Sequence, residues 1–148
     1  MGSRTDELMS LALEMSDSPP RRELDMLLTA GERVSMALLS IALHDRGVDS
    51  VSLTGSQCGI LTDQTHGNAR ITKILGDRIR AGIKKNKVVI VAGFQGVSPV
   101  TKEVTTLGRG GTDLSAIALT AALKADQCQL FKDVNGLMSA DPRLVKNA

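Results

Sequence analysis

The 148 residues suffice for one domain or for a piece of a larger one, and 42% hydrophobic with 23% charged side chains exclude a disordered tail, a collagen-like repeat and a disulfide scaffold. Eighteen Lys and Arg against sixteen Asp and Glu leave a net charge of +2, without the clustered basic stripe that nucleic-acid binding requires. With no Trp, no Tyr and only two Phe (Phe94 and Phe131), the core has to be built from Leu, Ile, Val, Ala and Met.

Apolar residues at helical spacing predict a first helix over 5–15, capped by Thr5 or Asp6 and ended by Pro19 and Pro20. A longer helical pattern covers 22–45, either as one helix broken at Gly31 or as two, with Gly47 as its stop. The texture then changes. Residues 50–54 alternate like a half-exposed strand running into Gly55, 70–74 form another strand, and 77–85 read as a helix. The continuous apolar run 87–92 suits a strand buried on both faces of a parallel sheet, with Gly93 and Gly96 marking the turn after it. A short strand at 104–107 leads into three glycines and a helix over 113–125, and 127–134 give a last strand before a turn at Asn135 and Gly136. Strands alternating with helices signify an α/β sheet with crossover helices, whose ligands bind where the loops gather at the strands' carboxyl ends. No apolar run reaches the ~20 residues of a membrane span.

Cys58 and Cys128 have no further Cys or His at ligand spacing, so no zinc motif is present. With no secretory leader at the start of the chain, the expectation is a soluble protein of the reducing cytoplasm. Lys84, Lys85 and Lys87 read as a solvated helix end.

The densest chemistry lies in Thr105-Thr-Leu-Gly-Arg-Gly-Gly-Thr-Asp113. Glycines after a strand let a backbone approach a ligand, the new helix presents N–H groups to an anion, and Arg109 adds a forked cation. The same residues also read as a plain turn with Asp113 as a dipole partner. The spacing matches neither a dinucleotide fingerprint nor a P-loop. Lys132 and Asp133 at a strand end, with Arg143 in the following loop, make a second candidate edge. Glycine loops at 54–59 and 93–96 suggest a shared phosphate-handling face. His66 reads as a loop or capping histidine, and Glu32, beside a mid-helix glycine, as an exposed helical acid.

Six blocks, in order along nearly the whole chain, resemble the aspartate kinases of the wider amino-acid kinase family. They are Glu23-Leu-Asp-Met-Leu-Leu-Thr-Ala-Gly-Glu-Arg33, Leu53-Thr-Gly-Ser-Gln57, His66-Gly-Asn-Ala-Arg-Ile71, Ile90-Val-Ala-Gly-Phe-Gln-Gly96, Val104-Thr-Thr-Leu-Gly-Arg-Gly-Gly-Thr-Asp113 and Ala140-Asp-Pro-Arg143. The resemblance implies a three-layer α/β/α sandwich around a mainly parallel sheet. It also implies phosphoryl transfer from MgATP to the side-chain carboxylate of L-aspartate, giving 4-phospho-L-aspartate, with ATP and Mg2+ as cofactors. Glu32 would then contact the amino acid's ammonium. Arg109, Gly110, Gly111 and Thr112 would hold its carboxylates and reach the phosphates, and Asp113 would organise the catalytic charges. Asp133, Ser139, Ala140, Asp141, Pro142 and Arg143 would hold the nucleotide together with Thr112. The implied setting is the cytoplasmic synthesis of lysine, threonine and methionine by a homo-oligomer, with no nucleic-acid or membrane partner.

The sequence departs from the family pattern at several points. The family's Lys-Phe-Gly-Gly-Thr-Ser loop has no counterpart here, nor do its regulatory ACT domains; its nucleotide-loop Tyr is Met138, and the Thr or Ser before Asp133 is Lys132. The expectation is therefore a partial kinase domain over 1–148, lacking its N-terminal part, with an exposed sheet edge and severely reduced activity by itself. The alternatives are a non-catalytic, nucleotide-binding pseudokinase or assembly subunit, or a sister amino-acid kinase.

Overall fold

A computed structural model describes residues 4–108, 110–131 and 145. The first amphipathic stretch forms α1 (Arg4–Met15), and α2 (Arg21–Asp45) follows after the two prolines. Pro20 serves as the cap residue of α2, its carbonyl accepting from the Glu23 and Leu24 N–H groups. Gly31 does not break this helix. It is where α1 crosses, since a Cβ there would lie 3.3 Å from Arg4 Cγ. Gly47, with φ +74°, supplies the expected stop, and its N–H bonds the His44 carbonyl.

The next elements are β1 (Ser50–Leu53), α3 (Gly55–Cys58), β2 (Ile60–Thr62), β3 (Ile71–Ile74), α4 (Asp77–Ile83), β4 (Val88–Val91), β5 (Gln95–Val97), β6 (Val104–Thr106) and α5 (Gly111–Leu123). β1 and β4 pair in parallel, Ser50 opposite Val88 through Leu53 opposite Val91. A second, mixed sheet has the order β3-β2-β5-β6, with β2 and β5 parallel and the outer neighbours antiparallel. The α/β class is as expected.

Four local expectations are corrected. The glycine loop at 54–59 is in fact α3, held by a capping box: Thr54 Oγ1 accepts from the Gln57 N–H while Gln57 Oε1 accepts from the Thr54 N–H. The turn expected at Gly93 and Gly96 is only partly a turn, because Gln95–Val97 is strand β5. The 87–92 run does make a strand, but β4 pairs only with β1 among the described residues, and Val88 remains 44% exposed. It is therefore not buried on both faces. Residues 127–131 take no strand conformation, and the rest of that expected strand lies outside the described residues.

The core is aliphatic, as the composition requires. Leu53, Cys58, Ile60 and Ile79 are buried together, with Val51, Ile71, Val89, Val91 and Leu119 among those packed around them. By length and composition α2 is apolar enough to cross a membrane, with an 18-residue window of mean hydropathy 1.5, although no continuous apolar run in it is that long. One face of the helix lies against β1, β4 and β6 and carries the fully buried Asp25, but only 22% of that window is buried, and Leu38 and Ile41 are more than half exposed.

Candidate active site

One face of α2 forms a cavity wall. Leu24, Asp25, Leu28 and Glu32 recur at the three-, four- and seven-residue spacings that share a helix face. Across a space of about 580 Å3 stand Thr106, Gly108, Gly110, Gly111 and Thr112, with Thr5 and Met9 of α1 closing one side. Thus Glu32, Gly110, Gly111 and Thr112, four of the residues singled out in the sequence, meet in one cavity. Asp113 sits one residue further on, half-buried in the first turn of α5, and is not part of the cavity lining. Arg109, Asp133, Ser139, Ala140, Asp141, Pro142 and Arg143 lie outside the described residues.

The glycine run is shaped by two demands. Gly110 caps α5 at φ +75°, a left-handed conformation costly for a side chain with a Cβ. Gly111 has no room, since a Cβ would lie 2.8 Å from Leu107 Cβ and 3.1 Å from the Phe94 ring. Phe94 itself is held at φ +67°. Its N–H donates to Ser115 Oγ at 2.9 Å, Ser115 donates to the Gly111 carbonyl at 2.7 Å, and the Phe94 carbonyl accepts from the Leu107 N–H at 2.9 Å. Strain of this kind persists only where the surroundings over-determine it, and here it sits on the cavity wall. The positive end of the α5 dipole opens on the same space.

The two acids of the α2 wall differ in availability. Asp25 is 0% exposed and saturated. Its Oδ1 accepts from Thr106 Oγ1 at 2.5 Å and its Oδ2 from His66 Nδ1 at 2.7 Å, while the Gly67 N–H reaches both oxygens at 3.1 and 3.2 Å. Glu32 is half-buried and has no hydrogen-bond or ion-pair partner among the described residues, and burial pushes its carboxyl above the ordinary range. Among the described residues no cation pairs with it, although Arg21 lines the same cavity. The cavity therefore pairs an unsatisfied carboxylate with the N-terminus of a helix, an arrangement that fits a ligand bearing an ammonium at one end and negative charge at the other.

Sequence reasoning missed Asp25 and misplaced His66. Far from being a simple capping residue, His66 bridges Asp25 and Glu103, its Nε2 lying 3.3 Å from Glu103 Oε2, and Arg22 Nε closes the chain on Glu103 Oε1 at 3.3 Å. The available signal was an acid on the inward face of α2, seven residues before Glu32. Residues 54–59 take no part in the cavity lining; the glycines that line it are Gly67, Gly108, Gly110 and Gly111, with Phe94 from the 93–96 stretch.

The model of the amino acid kinase family matches residues 1–148. The aspartokinase of Mycobacterium bovis is 54% identical over all 148 residues of this chain, which cover 35% of that protein. The aspartokinase of Geobacillus stearothermophilus is 55% identical over the same span, 36% of its length. Among solved structures, aspartate kinase from Synechocystis superposes with a TM-score of 0.77 at 50% identity, covering 99% of this chain and 23% of its own. E. coli aspartokinase III in complex with aspartate and ADP superposes with a TM-score of 0.78 at 27% identity, covering 95% of this chain and 32% of its own. The chain spans about a third of the length of the curated relatives it matches.

Proposed function

The chain belongs to the amino acid kinase family and has its fold, and we propose that it supplies the amino-acid pocket of an aspartate kinase. The observation that carries this reading is the partnerless Glu32 carboxylate facing the N-terminus of α5 across one cavity. Glu32 receives the ammonium of L-aspartate, whose charge relieves the cost of burying the acid. The substrate's carboxylates turn toward Gly110, Gly111 and Thr112. The relatives' names, and the aspartate and ADP bound in the E. coli neighbour, support this choice of ligand.

In the proposed reaction a side-chain carboxylate oxygen of aspartate attacks the γ-phosphorus of ATP. The bond from that phosphorus to the β–γ bridging oxygen breaks, and ADP leaves with its electron pair. The carboxylate is already ionised at neutral pH, so no general base is needed, and catalysis rests on alignment and on positive groups over the phosphoryl oxygens. The helix N-terminus at Thr112 fits a phosphate. The roles of Arg109 and Asp113 at the reacting centre, and of Asp133, Ser139, Ala140, Asp141, Pro142 and Arg143 on the nucleotide, rest on the sequence resemblance. Among the described residues no three His, Cys, Asp or Glu gather as a metal site, and Mg2+ in this reading arrives on the nucleotide's phosphates.

The same reading extends to a cytoplasmic homo-oligomer working in the synthesis of lysine, threonine and methionine. Two free cysteines support the compartment. The test is ATP-dependent aspartyl hydroxamate formation by a protein of the relatives' full length containing this segment, run against glutamate and acetylglutamate. Aspartate-selective turnover that collapses in Arg109→Ala is expected. Selectivity for another amino acid would overturn the assignment.

A further inference from the structure

Of the Asp25–His66–Glu103 chain only Asp25 lines the cavity; His66 and Glu103 lie beside it, and the chain ends at the backbone on which the glycine run rests. Gly67 donates its N–H to Asp25, and Ala69 donates its N–H to the Thr106 carbonyl at 2.8 Å. Gly108 packs directly on this segment: a Cβ there would lie 3.1 Å from both the Gly67 carbonyl oxygen and Asn68 Oδ1. Residues 66–69 thus form a shelf beneath Gly108, and Gly108 in turn accepts the Gly111 N–H at 3.1 Å at the mouth of α5.

His66 fixes this shelf at its outer end. One ring nitrogen meets the buried Asp25 on α2 and the other meets Glu103, which immediately precedes β6, so a single imidazole ties two separate elements together. Its side chain is 20% exposed, and it is not part of the cavity lining. We infer that His66 is a positioning residue for the amino-acid pocket, setting the height of Gly108 and of the Gly110–Thr112 turn above the 66–69 shelf through its bridge between Asp25 and Glu103. This rests on the reading of the cavity as the aspartate pocket. The position of the glycine run depends on the bridge whether or not a ligand is bound.

The experiment compares the wild-type chain with His66→Gln and with Glu103→Gln, which loosens the outer contact without altering a cavity residue. Backbone amide NMR signals of Gly110, Gly111 and Thr112 are recorded without ligand, and L-aspartate is then titrated. Positioning predicts that these signals move in both variants, and that the aspartate Kd rises roughly tenfold in His66→Gln with a smaller rise in Glu103→Gln. A merely structural bridge lowers Tm but leaves the three signals and the Kd unchanged, and that result overturns the inference. If His66→Gln does not fold, Glu103→Gln decides. If the wild-type chain binds no L-aspartate, the functional reading fails, while the ligand-free signals still judge the positioning role.

Discussion

Thr106 donates its hydroxyl to Asp25 Oδ1 at 2.5 Å, joining the last strand of the mixed sheet to the long helix α2 across 81 positions of sequence. Asp25 accepts from His66 and Gly67 as well, so one buried carboxylate satisfies three donors from two segments that meet α2 beside the cavity. Truncating such a hub strands its donors. Asp25→Ala is expected to cost about 3 kcal/mol of stability, and Thr106→Val about 1–2 kcal/mol, read from urea unfolding midpoints. A loss below half a kcal/mol in Asp25→Ala would contradict the network.

Glu32 carries the pH prediction. Burial holds its folded pKa above the unfolded value, so in the window between the two the folded state binds more protons. Stability contributed by this residue therefore falls as pH rises through that window, from about pH 4 upward. Glu32→Gln should flatten the decline and leave the ligand-free protein at least as stable as wild type at neutral pH. Stability curves of the two proteins at pH 4 to 7 that run parallel would refute it.

The two cysteines should behave oppositely. Cys58 is buried in the aliphatic core, and burial, partly offset by Arg78, pushes its thiol up to about 12. Cys128 is exposed. A thiol-reactive dye at mildly alkaline pH should therefore label Cys128 in the native protein and Cys58 only after denaturant is added. Labelling of both at similar rates in native buffer would show that the core around Cys58 opens readily.

Gly55 and Gly47 separate two reasons for a glycine. At Gly55 a Cβ would lie 2.2 Å from the Gln95 carbonyl oxygen, a clash with backbone that no rotamer relieves. At Gly47 nothing lies within 4 Å, and only the φ of +74° resists a side chain. Gly47→Ala should cost about 1 kcal/mol. Gly55→Ala should cost more, roughly 1–3 kcal/mol, because α3 and β5 must separate. Equal losses would show that α3 yields to the intrusion.

Much of this architecture was legible because it is local. The helical spacing before Pro19, the stop at Gly47 and the strand before Gly108 need only neighbouring residues to explain them. Even α3 was written in its capping box, although its four residues are too few for periodicity to register. What stayed hidden is long-range. The role of Gly31 depends on Arg4 of another helix, and the exposure of Val88 depends on which strands flank β4. At the site, Glu32, Gly110, Gly111 and Thr112 were found through a motif whose blocks resemble a family. Asp25 and His66 were not, because their partners lie 37 and more positions away and no spacing rule joins them.

In the proposed pocket Glu32 accepts an amino-acid ammonium while the mouth of α5 takes the carboxylates. Calorimetric titration of the 148-residue chain with L-aspartate and with succinate, which lacks only the ammonium, tests it most directly. Saturable L-aspartate binding, at least roughly tenfold tighter than succinate, is predicted, with that preference lost in Glu32→Gln. Equal binding of the two acids, no binding of L-aspartate, or a preference that survives Glu32→Gln would contradict it.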